Sequence, residues 1–282
     1  MNKQLPIDAI KPNFMCIGSQ KAGTSWLYEM LLQHPNVWLP KIKEIHFFDY
    51  KFGEETNTEK WGPGHIKRAM ERIKKEANTL EENLYVDNML GKETFTFEWY
   101  YSIFTHPEAA NKNIIGEVTP EYCSISEEGV QAIKELLGDG KVIWMIRDPF
   151  DRAISQIQMS ANRMLANPPQ NNSEWEGLLK NVKYINRANY EKYVPLWDKY
   201  FGDDIKYIAY GNMKNNPENL LTEIEGFLGI EKIKYSGLKE VVHKTKNVDL
   251  PEWLKNKVRG EVSLQYDFLL KRFGKEFLND IK

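Results

Sequence analysis

The stretch that most restricts how this chain can fold is FMCIGSQKAGTSWLYEML, residues 14–31. A short apolar run, FMCI (14–17), enters a loop carrying Gly18 and Gly23, and Leu27, Met30 and Leu31 then share one helical face. A strand that runs through a glycine turn into a helix gathers backbone N–H groups and a helix N-terminus around one point, which suits a phosphate. Gly18 and Gly23 have the spacing of a G-x-x-x-x-G-K-[ST] phosphate loop. Thr24, however, stands at the lysine position, and the loop's lysine is Lys21. A loop of this kind can also be no more than a tight turn, so other segments have to decide.

Those segments repeat the pattern. KVIWMI (141–146) is the clearest strand; Asp148 and Pro149 follow it as helix cap and first-turn proline, so RDPFDRAISQIQM is a second strand-loop-helix unit. IKYIAY (205–210) reads as a third strand, after which Asn216 and Pro217 open a helix with Leu220, Ile224, Phe227 and Leu228 on one stripe. NIIGEV (113–118) and NVWLP (36–40) are weaker strands. Short apolar runs alternating with amphipathic segments predict a parallel α/β sheet in one domain, 1–282. Residues 51–112 are charged and aromatic without long strand runs, which predicts a helical insertion; NPPQNNSE (167–174) reads as a flexible loop.

Composition narrows the partners. The 282 residues include 38 basic and 40 acidic side chains, a net charge of −2, so no overall positive field draws the chain to nucleic acid or anionic lipid, and any anion site has to be local. Cys16 and Cys123 have no metal-ligand spacing and read as buried free thiols. The N-terminal MNKQLPIDAIKPN lacks an apolar h-region, and no stretch approaches the roughly 20 apolar residues of a membrane span. A soluble, cytoplasmic protein is expected, with no membrane or nucleic-acid partner; the oligomeric state stays open. A triphosphatase or nucleotide kinase would place lysine before the Ser/Thr and an acid for magnesium at a strand end. KVIWMI ends instead in Arg147, which points to anion binding without a metal.

Taken in order, GSQKAGTSWLYEMLLQHPNV, KEIHFFD (43–49), GEVTPEY (116–122), RDPFDRAIS (147–155) and YGNMKNNPENLLTEIEGFLGI resemble the PAPS-dependent sulfotransferases, in particular the branch of heparan sulfate sulfotransferases and their bacterial relatives. The resemblance covers most of the chain outside 51–112. It implies a P-loop-like three-layer α/β fold, a central parallel sheet flanked by helices, and transfer of a sulfuryl group from PAPS to a hydroxyl or amine with release of PAP. It further implies that the run Lys21, Ala22, Gly23, Thr24, Ser25 and Trp26 holds the 5′-phosphosulfate, with Lys21 at the bridging oxygen where charge develops, and that Arg147 and Ser155 bind the 3′-phosphate. Glu44 has the general base's place; His46, two residues on, would share its side in an extended segment and serves as a support or substrate contact, histidine being the base in other sulfotransferases. The plainer readings are a solvated Lys21, Arg147 capping a neighbouring helix, Ser155 bonding back into its own helix and Glu44 in a surface ion pair. Arg152 is expected to pair with a surface acid.

Two departures stand out. Val118 occupies a stretch where heparan-type enzymes carry lysine, with Lys41 or Lys43 as compensation, and the C-terminal basic loop shortens to HKTKN, leaving Lys244 and Lys246 to cover the nucleotide. The loss at Val118, with the slightly acidic charge balance, suggests a small-molecule acceptor, covered by residues 51–112. Their aromatics (Phe52, Trp61, Tyr85, Phe95, Phe97, Trp99, Tyr100) and acids (Glu54, Glu55, Glu59, Asp87) predict a compact, partly apolar or cationic metabolite such as an alkaloid-like natural product, with a saccharide or lipid as the alternative. A catalytically silent PAP-binding protein is the reading from another class.

Overall fold

In the computed structural model, residues 10–54, 57–164, 168–182, 184–240 and 248–282 are described. Five strands, β1 (Phe14–Gly18), β2 (Val37–Trp38), β3 (Ile114–Val118), β4 (Lys141–Ile146) and β5 (Ile205–Ala209), form one sheet in the order β2-β3-β1-β4-β5. Every pairing is parallel. The helices are α1 (Thr24–Leu32), α2 (Phe47–Phe52), α3 (Thr58–Glu76), α4 (Leu80–Leu90), α5 (Phe97–Ile103), α6 (Glu127–Leu137), α7 (Pro149–Met164), α8 (Asn172–Asn181), α9 (Tyr190–Phe201), α10 (Tyr210–Asn215), α11 (Pro217–Leu228) and α12 (Glu252–Asp280).

Strand alternation sorts the sheet into two faces. Phe14, Cys16, Ile143, Met145 and Ile208 pack on one side against Leu27 and Leu31 of α1 and Leu220 and Ile224 of α11. Met15, Ile17, Val142, Trp144 and Ile146 face the other side, which is filled from α3, α5, α6 and α9 by residues such as Ile66, Trp99, Tyr100, Ile133 and Trp197. Both faces are covered, as an all-parallel sheet requires. A separate apolar cluster joins Ala153 and Ile157 of α7, Trp175 and Leu178 of α8, and Leu254 and Val258 of α12.

The three strong strands fall where the sequence places them, and NVWLP contributes only Val37 and Trp38 to the edge. Asp148 Oδ1 accepts from the Asp151 N–H at 3.0 Å, so it caps α7 as expected. The segment read as a flexible loop contains the start of α8, capped by Asn171, whose side chain accepts the Glu174 N–H. Asn167 lies outside the described residues. α12, which is interrupted by a kink at Gly274 (φ +85°), has weak amphipathic patterning and no side-chain N-cap, so little in its sequence announces it. Cys16 and Cys123 are buried free thiols.

The chain leaves β1 toward β2 and leaves β4 toward β5, on opposite sides. This switch point opens a crevice at the C-terminal ends of β1 and β4, the place where open parallel sheets bind ligands.

Candidate active site

The loop after β1 and the loop after β4 meet at that crevice. Gly23 sits at the N-cap of α1 with φ +90°, a left-handed conformation that glycine adopts without strain. A Cβ there would come within 2.7 Å of Met213 Sδ, so the Met213 side chain would also have to shift. α1 has no side-chain cap and no acid in its first turn, which leaves its N-terminus directed at the crevice. Across it, Arg147 Nη1 donates to the Lys21 carbonyl oxygen at 2.8 Å, and its guanidinium lies 4.6 Å from the Tyr210 ring centre. Arg147 therefore clamps the loop and, among the described residues, caps no helix.

A cavity of about 1000 Å³ fills the crevice. Gln20, Lys21, Gly23, Thr24, Ser25 and Trp26 form its floor; Arg147, Ser155 and Arg163 line one wall and Lys43, Glu44, His65, Arg68 and Arg72 the other. Burial, followed by the charges of Arg147 and Arg163, lowers the Lys21 pKa, while Glu44 pulls it up. Ala22 turns away: it is fully buried and its N–H donates to the Ser19 carbonyl at 3.0 Å. Trp26 lines the cavity, and its indole N–H donates to the Leu238 carbonyl at 2.9 Å, pinning 238–240 beside the loop. Lys244 and Lys246 lie outside the described residues.

The base cluster is built by a second set of side chains. Lys43 Nζ donates to Ser25 Oγ and lies 3.6 Å from Glu44, whereas the half-exposed Lys41 pairs with Glu82 at 3.2 Å. Of the two lysines offered as compensation for Val118, Lys43 reaches the cavity; Val118 itself is buried against the α1 side of the sheet. Glu44 Oε2 is 3.8 Å from His46 Nε2, and His46 Nδ1 is 3.0 Å from Asp49 Oδ2 and 3.9 Å from Glu121 Oε2. Burial alone would favour the neutral ring, but these carboxylates prevail and hold His46 well above its ordinary pKa. Burial alone would also raise Glu44; the His46 hydrogen bond and the Lys43 charge instead hold it at about 2. Glu44 is thus held as the ionised carboxylate of the pair, with His46 as its charged neighbour.

An extended segment was the expected reason for Glu44 and His46 sharing a side. Instead both are left-handed, with φ +62° and +56°, and Lys21 is also left-handed at φ +70°. Non-glycine residues hold such angles only when the surroundings over-determine them, a condition that concentrates at functional sites. Here the restraint comes from GEVTPEY. Thr119 Oγ1 accepts the Ile45 N–H at 3.0 Å and Tyr122 Oη accepts the Phe47 N–H at 3.1 Å, so the backbone is gripped on both sides of His46. Both hydroxyls donate to the buried Glu117, at 2.7 and 3.2 Å, as does Tyr100 at 2.7 Å. Burial raises Glu117 to about 7 against those three hydrogen bonds. Glu117, Thr119 and Tyr122 are the supports of the site that sequence reasoning misses; the signal available was a run of acid and hydroxyl side chains in a strand-end motif. Asp49, in KEIHFFD, was within reach of the same reading.

Arg152 corrects its expectation. It is fully buried, donating to Gln156 Oε1 at 2.7 Å, to the Tyr184 carbonyl and to the Gln20 carbonyl at 3.5 Å, so it braces the loop from inside. The acceptor-covering set needs correction too. Phe95, Trp99 and Tyr100 are core residues, Glu54 pairs with Lys192, and Asp87 pairs with Lys74. Glu55 lies outside the described residues. From 51–112 the cavity receives His65, Arg68, Ala69 and Arg72, all on α3, while Trp61 packs edge-on to His46 at 4.5 Å. That wall is basic, which removes the argument for a cationic acceptor.

A parallel α/β fold with a helix N-terminus, a loop lysine and an arginine at its switch point, faced by an ionised carboxylate, defines a P-loop-like transferase for anionic groups. The chain belongs to the sulfotransferase family, whose model matches residues 12–234. Human heparan sulfate glucosamine 3-O-sulfotransferase 5 is 26% identical over 234 residues, covering 78% of this chain and 54% of its own length. The chain spans between 22% and 54% of the length of such curated relatives. Among solved structures, a sulfotransferase from Alicyclobacillus acidocaldarius superposes with TM-score 0.61 at 20% identity, over 92% of this chain and 96% of that one. Mouse sulfotransferase SULT7A1 complexed with PAP gives TM-score 0.50 at 14% identity, over 97% and 89%. Family membership sets aside the kinase reading. Among the described residues no helix is long and apolar enough to cross a membrane.

Proposed function

We propose that the protein transfers a sulfuryl group from PAPS to a hydroxyl or amine of a small-molecule acceptor and releases PAP. One observation carries the reading: a single cavity joins the loop Gln20–Trp26, Arg147 and Ser155 to Lys43 and Glu44. The first group suits a nucleotide with phosphate at both ends, and the second suits deprotonation of an acceptor. The PAP-bound mouse relative supports the choice of nucleotide. The bound donor supplies a sulfuryl group on a phosphate leaving group; the protein supplies position and charge.

In this reading the N-terminus of α1, with Thr24 and Ser25, holds the 5′-phosphosulfate. Lys21 neutralises the bridging oxygen as the S–O bond breaks. Arg147 and Ser155 take the 3′-phosphate, the arginine through its planar fork of donors. Glu44 receives the acceptor's proton as the new bond to sulfur forms. Its carboxylate is already ionised, while His46, held protonated, is unable to accept a proton through either nitrogen. Arg68 and Arg72 favour an acceptor with anionic or strongly polar substituents, which moves the preference from cationic metabolites toward saccharide-like ones.

Calorimetry should show PAP binding without magnesium and far tighter than AMP. A PAPS-consumption screen over phenols, amines, neutral sugars and acidic oligosaccharides should show turnover with polar acceptors. Binding of PAP with no turnover on any class would establish a silent PAP-binding protein instead.

A further inference from the structure

Glu121 belongs to neither half of the site, yet it touches both. Its Oε1 accepts from Gln20 Nε2 at 2.8 Å and pairs with Arg187 Nη2 at 3.1 Å. Gln20 is the residue before Lys21, and its own Oε1 accepts from Arg187 Nη1 at 3.1 Å, so the three side chains close a small ring behind the loop. The other oxygen, Oε2, is buried without a hydrogen-bond partner and lies 3.9 Å from His46 Nδ1.

A buried carboxylate oxygen left without a donor is costly, and it persists where its charge is used. The charge it meets is His46, which is also faced by Asp49 and Glu44, with the Trp61 and His65 rings packed edge-on at 4.5 and 5.2 Å. Asp49 alone satisfies His46 Nδ1 and is itself bonded by Thr58 Oγ1 at 2.5 Å, so the His46 cluster would be complete without Glu121. The loop has independent bracing as well, from Arg152 and Arg147. What Glu121 adds to either half is its connection to the other.

We infer that Glu121 is a positioning residue that couples the nucleotide loop to the base cluster, one carboxylate oxygen fixing Gln20 and the other facing His46. Occupation of the loop by nucleotide shifts Gln20, Glu121 follows, and the His46–Glu44 pair is brought into register with the donor. The proposal rests on reading the loop as the nucleotide cradle. It adds that the two substrates' sites are energetically linked through a buried side chain, a link that must be reciprocal. Arg187 limits the motion by holding Gln20 and Glu121 together.

The test needs no acceptor. In the full chain, the imidazole resonance of His46, assigned with His46→Gln, is followed by NMR as PAP is added to saturation, with binding measured separately by calorimetry. PAP should move the His46 signal in the wild type. In Glu121→Gln the amide oxygen still accepts from Gln20 and Arg187, so PAP should still bind, but the His46 signal should stay in place. Gln20→Ala cuts the link at its other end and should silence His46 in the same way, which keeps the test open if Glu121→Gln folds poorly. A His46 response that persists in a PAP-saturated variant, or is missing in a PAP-saturated wild type, would overturn the coupling. Failure of the wild type to bind PAP at all would overturn the nucleotide reading beneath it.

Discussion

The two halves of the site are built by opposite means. The nucleotide half, Gln20–Trp26, is mainly backbone: a strand end, a left-handed Gly23 and an open helix N-terminus within one contiguous segment. The base half, Lys43–Asp49, lacks regular structure until α2 begins at Phe47, and its shape is imposed from outside by Thr119, Tyr122 and Glu117. A cradle made from backbone tolerates side-chain change around it. A segment held by side chains from another strand does not, because each hydrogen bond depends on a partner some 74 residues away.

The largest break expected in this comparison is Glu44→Gln. Removing a general base costs about 10²–10⁴-fold in rate. PAP affinity should stay near the wild-type value, because the Gly23 turn and the open N-terminus of α1 are formed within their own segment. If calorimetry shows PAP binding collapsing along with turnover, the halves are not separable.

Next comes Lys21→Ala, which strikes the nucleotide half at the atom placed for developing charge. The expected loss in turnover is about 10²–10³-fold, with PAP binding still measurable. Near-normal turnover would remove Lys21 from the chemistry and leave it a loop residue. Arg147→Ala tests the same half at its other end. A charged hydrogen bond is worth about 1.5–3 kcal/mol, so most of the preference for PAP over AMP should disappear in competition binding. An unchanged preference would relocate the 3′-phosphate.

The smallest effect sharpens the view of the base half as a side-chain construction. Glu117 is a carboxyl whose folded pKa is raised, from 4.5 to about 7, by burial. The folded state therefore holds more protons than the unfolded state between those values. Stability due to this group falls as pH rises through that window and is level above it. In Glu117→Gln that pH-dependent loss should vanish, so the difference in melting temperature between variant and wild type should move in the variant's favour from pH 4.5 to pH 7. A constant difference across that range would mean Glu117 is ionised throughout, and its three hydroxyl donors hold a carboxylate.

Reading the sequence succeeded where structure is local. β1, β4 and β5 and the helices that follow them carry their own periodicity and caps, so FMCI, KVIWMI and IKYIAY were legible as strands, though Tyr210 begins α10, and Asp148 was legible as a cap. Lys21, Arg147 and Ser155 come from segments adjacent to those strand ends, and the crevice collects them by topology alone. Glu44 and His46 were named from their motif, but the reason offered for their proximity was wrong, because no local pattern signals two left-handed residues separated by one. The covering segment shows the same boundary: its aromatics went to the core, and Arg68 and Arg72, ordinary surface residues in the sequence, became a wall of the cavity.

What the sequence determined by itself is the parallel sheet, the glycine loop after its first strand and the helix N-terminus that follows. These depend on hydrophobic alternation, glycine and helix ends, all expressed within a few residues. The tertiary structure decided how the base is held, which lysine reaches the site, that Arg152 works from the interior and that Glu121 stands between the two halves. Those outcomes depend on buried polar groups finding partners far away in the chain. Burial is what makes such partnerships obligatory, and only the packed fold decides which groups are buried together.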